Sequence, residues 1–188
     1  MQTTTDLAQK VQWALDPTHS SVGFRVKHMM MTTVKGTFDT FTVNVETEDE
    51  DFVHGKISFT ADINSVNTKN EGRDQHLRGA DFFDAEKYPE MKFVATRMED
   101  VDHDGSYIMY GDLTIRDITK EVKLDVEYGG VLTDPWGNQR AGFTLHGKIN
   151  RKDWNLNWNV ALEAGGLLVG EEVKIEAEIE LIKQQVEA

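Results

Sequence analysis

The chain has 188 residues, 39% of them hydrophobic and 28% charged, with a formal net charge of -13. That is a globular composition with enough chain to bury a core. The acidic surface, in which no local basic patch stands out, argues against a nucleic-acid partner, and the absence of cysteine excludes disulfides and thiolate chemistry.

The first residues, "MQTTTDLAQK", lack a basic start followed by an apolar run, so no signal peptide is read there. A cytoplasmic location is expected on that ground, or a periplasmic one if a signal has been removed. No stretch approaches the roughly 20 apolar residues of a membrane span, so stable membrane insertion is not expected. Residues 1–10 read as a flexible segment, 11–183 as one folded domain and 184–188 as a tail.

Strand signals then follow one another. In "HSSVGFRVKH", Val22, Phe24 and Val26 share a face opposite Gly23, Arg25 and Lys27. Such period-2 alternation marks a strand with one dry and one wet face. "FTVNVE" repeats it through Phe41, Val43 and Val45, and "KISFTADI" through Ile57, Phe59, Ala61 and Ile63. Met91, Phe93 and Ala95 alternate more weakly. Met109, Gly111, Leu113 and Ile115 form the next dry face, then Val122, Leu124, Val126 and Tyr128. Ala141, Phe143, Leu145, Gly147 and Ile149 follow, and "EVKIEAEIELIK" closes the series through Val173, Ile175, Ala177, Ile179 and Leu181. This makes about eight strands, which suits a small sandwich or barrel. Asp104-Gly105 predicts a tight hairpin, "RDIT" a short link and "DPWGN" a turn, so neighbouring strands should run antiparallel.

Two stretches break the pattern. Thr68 with Glu71 resembles a capping box and Gly79 a helix end, which predicts a short helix near Glu71–Arg78. Phe82 and Phe83 then lie in a turn stopped by Pro89. The second stretch, Arg151 to Gly170, reads as a helical turn and a glycine-broken loop. An Arg151–Asp153 salt bridge is expected to fix it, and Trp154 and Trp158 are spaced to share a face.

Sharper chemistry finds little support. His19, His28 and His76 match no metal-ligand spacing, so neither a metal nor a cofactor is expected. Ser20 lacks the elbow of a hydrolase nucleophile. The acidic string Glu46 to Phe52 lacks the glycine and spacing of a calcium loop and reads as a solvated hairpin tip. Met29-Met30-Met31 is soft enough for a flexible lip or a strand end. Dry faces of mixed residue size are compatible with a filled core and with a hollow one alike.

"WALDPTHSSVGFRVKHMMMTTVKGTF", "RDQHLRGADFFDAEKYPEMKF", "GDLTIRDITKEVKLDVEYGG", "DPWGNQRAGF", "INRKDWNLNWN" and "LVGEEVKIEAEIEL" together resemble the YceI family of bacterial lipid-binding proteins from about Trp13 to Leu181. Trp154 and Asp117 depart from the usual Phe and Gly. The resemblance implies an all-β fold: an antiparallel eight-stranded lipocalin-like barrel with one short helix and an irregular loop. It also implies a homodimer and an apolar tunnel for an isoprenoid or other long-chain lipid. Binding, storage or transport without catalysis is the expected function. A structural or stress-response interaction domain, or an enzyme acting on a lipid head group, is the alternative. The tunnel lining expected on this basis is Val22, Phe24, Val26, Phe38, Ile57, Phe59, Phe82, Phe83, Met91, Phe93, Leu113, Phe143, Leu145, Trp154 and Trp158. Arg73 and His76, with Asp84 and Arg151 nearby, are the candidates for meeting a head group at its mouth.

Overall fold

A computed structural model describes residues 8–185. The expected flexible segment at 1–10 and tail at 184–188 lie for the most part outside those residues, and the first strand begins at Lys10.

Among the described residues, eleven strands and one α-helix follow in order: β1 (Lys10–Leu15), β2 (Ser21–His28), β3 (Thr32–Phe38), β4 (Phe41–Glu48), β5 (Asp51–Asp62), β6 (Val66–Asn67), α1 (Glu71–Arg78), β7 (Glu90–Asp100), β8 (Ser106–Ile115), β9 (Ile118–Thr133), β10 (Gln139–Asn150) and β11 (Val169–Lys183). The ladder runs β1-β4-β5-β7-β8-β9-β10-β11 and closes by pairing β11 with β1. This is an eight-stranded antiparallel barrel, and closure removes the free edges of an open sheet.

Three staves of the barrel are broken in two, which is why eleven strands make eight staves. Leu15 faces Leu181 on β11, and after a kink β2 resumes along the same neighbour from Ser21 opposite Glu178 to His28 opposite Val169. β3 and β4 pair with β2 and β1 in the same way, and β6 extends β5 by pairing with β3. The first kink is written locally: Pro17 has no N–H for the ladder, and Asp16 caps the 3-10 turn by accepting from the Thr18 N–H at 2.9 Å.

The alternation read from sequence is realised in the pleat. In β9, Val122, Leu124 and Val126 are buried while Lys123, Asp125 and Glu127 are exposed. Helix α1 covers the predicted residues, but its cap differs. Asn70, not Thr68, accepts from the Arg73 N–H at 2.9 Å. Thr68 instead donates its N–H and hydroxyl to Asp74, at 2.9 and 2.5 Å, and Asp74 is buried. Asp104-Gly105 also departs from expectation: it belongs to a five-residue connection, 101–105, with Gly105 at φ +97°.

The two barrel ends are built differently. The β4–β5, β7–β8 and β9–β10 connections meet at one end. Inside it, Phe52 lies 5.0 Å from Trp13, 5.3 Å from Tyr128 and 5.0 Å from Phe143, ring centre to ring centre. Phe52 had read as part of a surface string; it is buried because its side chain plugs this end. The opposite end carries the β2–β3 turn, α1, a 3-10 helix (Arg151–Trp154) and the loop 155–168.

Candidate functional site

The barrel encloses a cavity of about 590 Å³, within the size range of small-molecule pockets. Its wall is the shared dry face of the staves. Val22, Phe24 and Val26 contribute from β2, Phe38 from β3, Ile57 and Phe59 from β5, Met91 and Phe93 from β7. Leu113 comes from β8, Phe143 and Leu145 from β10, and Phe82, Phe83 and Trp158 from the segments over the helical end. All five alternating residues of β11, from Val173 to Leu181, face the same hollow.

Trp154 is the exception and corrects the expectation. Its indole is 2% exposed, is not part of the wall, and donates Nε1–H to the Leu113 carbonyl at 3.0 Å. It fastens the Arg151–Trp154 turn to β8.

Several wall residues were not anticipated from sequence. Met98 faces the cavity because a bulge between Ala95 and Arg97 shifts the parity of β7, which no alternation count reveals. Val34 was missed because β3 is short and rich in threonine. Alternation assigns Met109, Val122, Leu124 and Val126 to a dry face, and the structure turns that face to the hollow. The dry-face glycines Gly111 and Gly147 do not create the space. A Cβ at Gly111 would overlap the Phe93 ring, and one at Gly147 would come within 2.5 Å of Leu124 Cδ2, so larger neighbours already fill those gaps.

Polar groups gather at the helical end. Lys27, His28, Thr68, Arg73, His76 and Arg151 reach the wall there, and among the described residues no Asp or Glu does. Arg73 donates from Nε to the Thr68 hydroxyl at 2.7 Å and from Nη2 to the Thr68 carbonyl at 2.8 Å. His76 holds Asp81 at 2.8 Å through Nε2 and stands edge-on to Trp158 and Phe82, with ring centres 4.5 and 5.0 Å away. Asp84 is buried outside the wall, 3.9 Å from Lys87 Nζ.

Arg151 is not bound to Asp153. It is 3% exposed and donates to the carbonyls of Leu156, Trp158, Val169 and Gly170. Burial pushes its pKa below the usual guanidinium value, and Glu171 partly opposes that. The side chain clamps the loop over the mouth from inside.

One further cluster lies outside the cavity. Asp16, His19 and Glu180 converge closely enough to suggest a cation site. Arg140 occupies it: Nη1 donates to Asp16 at 2.6 Å and Glu180 at 2.7 Å, and Nε donates to Asp134 at 2.8 Å. His19 Nδ1 adds a contact to Asp16 at 2.8 Å. His19 thus has the carboxylate partner expected of a structural histidine.

A closed antiparallel barrel with an apolar interior and a helical cap at one end defines a lipocalin-like class. Within it the chain belongs to the YceI-like family, whose domain it matches over residues 13–181. A Staphylococcus aureus UPF0312 protein is 41% identical over 169 residues, 89% of this chain and 95% of that protein. The Campylobacter jejuni YCEI protein superposes with a TM-score of 0.71 at 33% identity, over 85% of this chain and 90% of that one. Burkholderia cenocepacia BcnA shares the fold at 22% identity, with a TM-score of 0.74 over 88% of this chain and 98% of that one. A structure described as a polyisoprenoid binding domain, from Saccharophagus degradans, shares it at 15% identity, with a TM-score of 0.66 over 92% of this chain and 98% of that one.

Proposed function

We propose that this protein binds an isoprenoid or other long-chain lipid in its barrel, as a carrier or store and without catalysis. The observation that carries the reading is the continuous apolar wall around a cavity of about 590 Å³, with polar groups confined to one end. Each methylene moved from water into such a wall contributes about 0.8 kcal/mol. A five-carbon isoprene unit therefore contributes roughly 3–4 kcal/mol before ordering costs. A chain of a few units needs no polar recognition to be held. The polyisoprenoid binding domain that shares this fold supports the ligand class. The working form of the protein is a homodimer, in keeping with the family resemblance.

The reading is tested by purifying the protein without detergent, extracting it with organic solvent and analysing the extract by mass spectrometry. A stoichiometric isoprenoid or long-chain lipid is expected. A clean extract, together with no uptake of added farnesol or geranylgeraniol, would sink it. Sedimentation equilibrium tests the dimer separately.

A further inference from the structure

The cavity mouth adjoins a hairpin that carries basic residues and no acidic ones. Residues 17–38 contain no Asp or Glu, although the whole chain has 33, and they carry Arg25, Lys27 and Lys35. This local basic stretch is easily passed over behind the net charge of -13. At the hairpin tip Met29, Met30 and Met31 are 40%, 69% and 78% exposed. The tip is continuous with the mouth. The Met29 N–H donates to the Leu168 carbonyl at 2.8 Å, and Leu168 lines the cavity. The Leu168 N–H in turn donates to the carbonyl of Val160, which is 47% exposed.

The turn itself is made from unsuitable residues. Met29 and Met30 both have positive φ, 52° and 57°, and the Met31 N–H closes the turn on the His28 carbonyl at 3.0 Å. Two successive positions at positive φ favour Asn-Gly, and bulky side chains there are strained. Folding alone would not select methionine at these two positions.

We infer that the β2–β3 hairpin docks the mouth onto an anionic lipid bilayer, with the methionines entering the interface and Lys27 and Lys35 meeting the head groups. Apolar side chains beside lysines are the usual means of shallow, reversible membrane attachment. Methionine, unbranched and polarizable, adapts to a fluid surface. The orientation lets a lipid pass between bilayer and tunnel without crossing water. Docking goes beyond the carrier reading and needs no ligand in the tunnel.

The test is flotation of the full chain with extruded vesicles of half phosphatidylcholine and half phosphatidylglycerol, beside vesicles of phosphatidylcholine alone. Binding is expected on the mixed vesicles, weakened by salt and weaker on the neutral ones. K27E/K35E should lower binding to mixed vesicles about tenfold or more. M29N/M30G, which suits the turn and so should fold at least as well, should lower it by roughly tenfold. The proposal is overturned if the wild-type chain floats with neither vesicle, or if M29N/M30G binds as well as wild type. It is also overturned if the hairpin proves to be a protein interface, seen as a dimer that M29N/M30G dissociates while vesicle binding is absent. Solvent extraction of the same batch keeps the two readings apart. Lipid in the tunnel without vesicle binding sinks docking alone; vesicle binding with an empty tunnel that takes up no added isoprenoid sinks only the carrier reading.

Discussion

At the scale of single residues, tunnel width and mouth integrity depend on different contacts. Phe24 pairs across the ladder with Gly36, and a Cβ at Gly36 would overlap its ring. The obstructing atoms are the far end of a side chain beside an open cavity, so the ring can swing inward. Gly36→Ala should therefore cost little stability and narrow the tunnel. The expected outcome is a loss of bound lipid in the solvent extract with a thermal midpoint close to wild type. Arg151 behaves oppositely. Its loss would leave two carbonyls of the mouth loop and two at the start of β11 without their shared donor, and buried groups without partners cost about 1–3 kcal/mol each where water cannot replace the bond. Arg151→Met should destabilise by about 3 kcal/mol or more in denaturant unfolding. Alternation made the wall residues of the long strands legible, because parity alone assigns them to a face. It could not place Trp154 or Arg151, whose surroundings are made by loop carbonyls far off in sequence.

At the scale of elements, sequence gave away the long strands and hid the short ones. β5 and β7 to β11 carry enough alternating residues to stand out. β1, β3 and β6 do not: β3 reads "TTVKGTF", with a glycine at a dry position, and β6 has two residues. The predicted number of strands equals the number of staves only because each missed strand is the other half of a stave already seen. Helix α1 was legible from its end signals, yet the capping residue was misread by two positions, since Asn70 and Thr68 are both plausible acceptors until Asp74 claims Thr68. The β2–β3 turn shows a local rule broken. Two methionines at positive φ cost roughly 1–2 kcal/mol each. M29N/M30G should thus raise stability by roughly 1–3 kcal/mol, measured as a shift of the urea midpoint at unchanged slope. No gain would mean that the strain is relieved elsewhere in the hairpin.

At the scale of the whole molecule, barrel closure runs along β11 against a broken stave, with one ionic knot beside the break. β1 meets β11 through Trp13, Ala14 and Leu15, and β2 takes up the same seam beyond the kink, from Ser21 opposite Glu178. Beside this seam Arg140 joins Asp16 of the first kink, Asp134 of the β9–β10 turn and Glu180 of β11. The His19 and Arg140 contacts hold the Asp16 carboxyl well below the usual carboxylate range, and Arg140 chiefly holds Asp134 down to about 2. The same carboxylates raise Arg140, and Asp16 raises His19. The signs then set a pH profile. Carboxylates with lowered folded pKa contribute stability that is present above the unfolded value near 3.8 and is lost as pH falls toward about 2. A histidine with raised folded pKa contributes stability that is present below its unfolded value of 6.5 and is lost as pH rises through the higher folded one. The thermal midpoint should therefore be highest between these limits and fall on both sides. Asp134→Asn should flatten the acid limb, because its unfolded chain no longer takes up that proton. His19→Gln should flatten the alkaline limb and leave most of the acid one, since Arg140 still holds Asp16. Arg140→Gln should lower the midpoint most near neutral pH and least in acid, where the carboxylates it leaves behind become protonated. A uniform loss across pH in Arg140→Gln would mean that the seam is held by the backbone pairs and that the knot is incidental to closure.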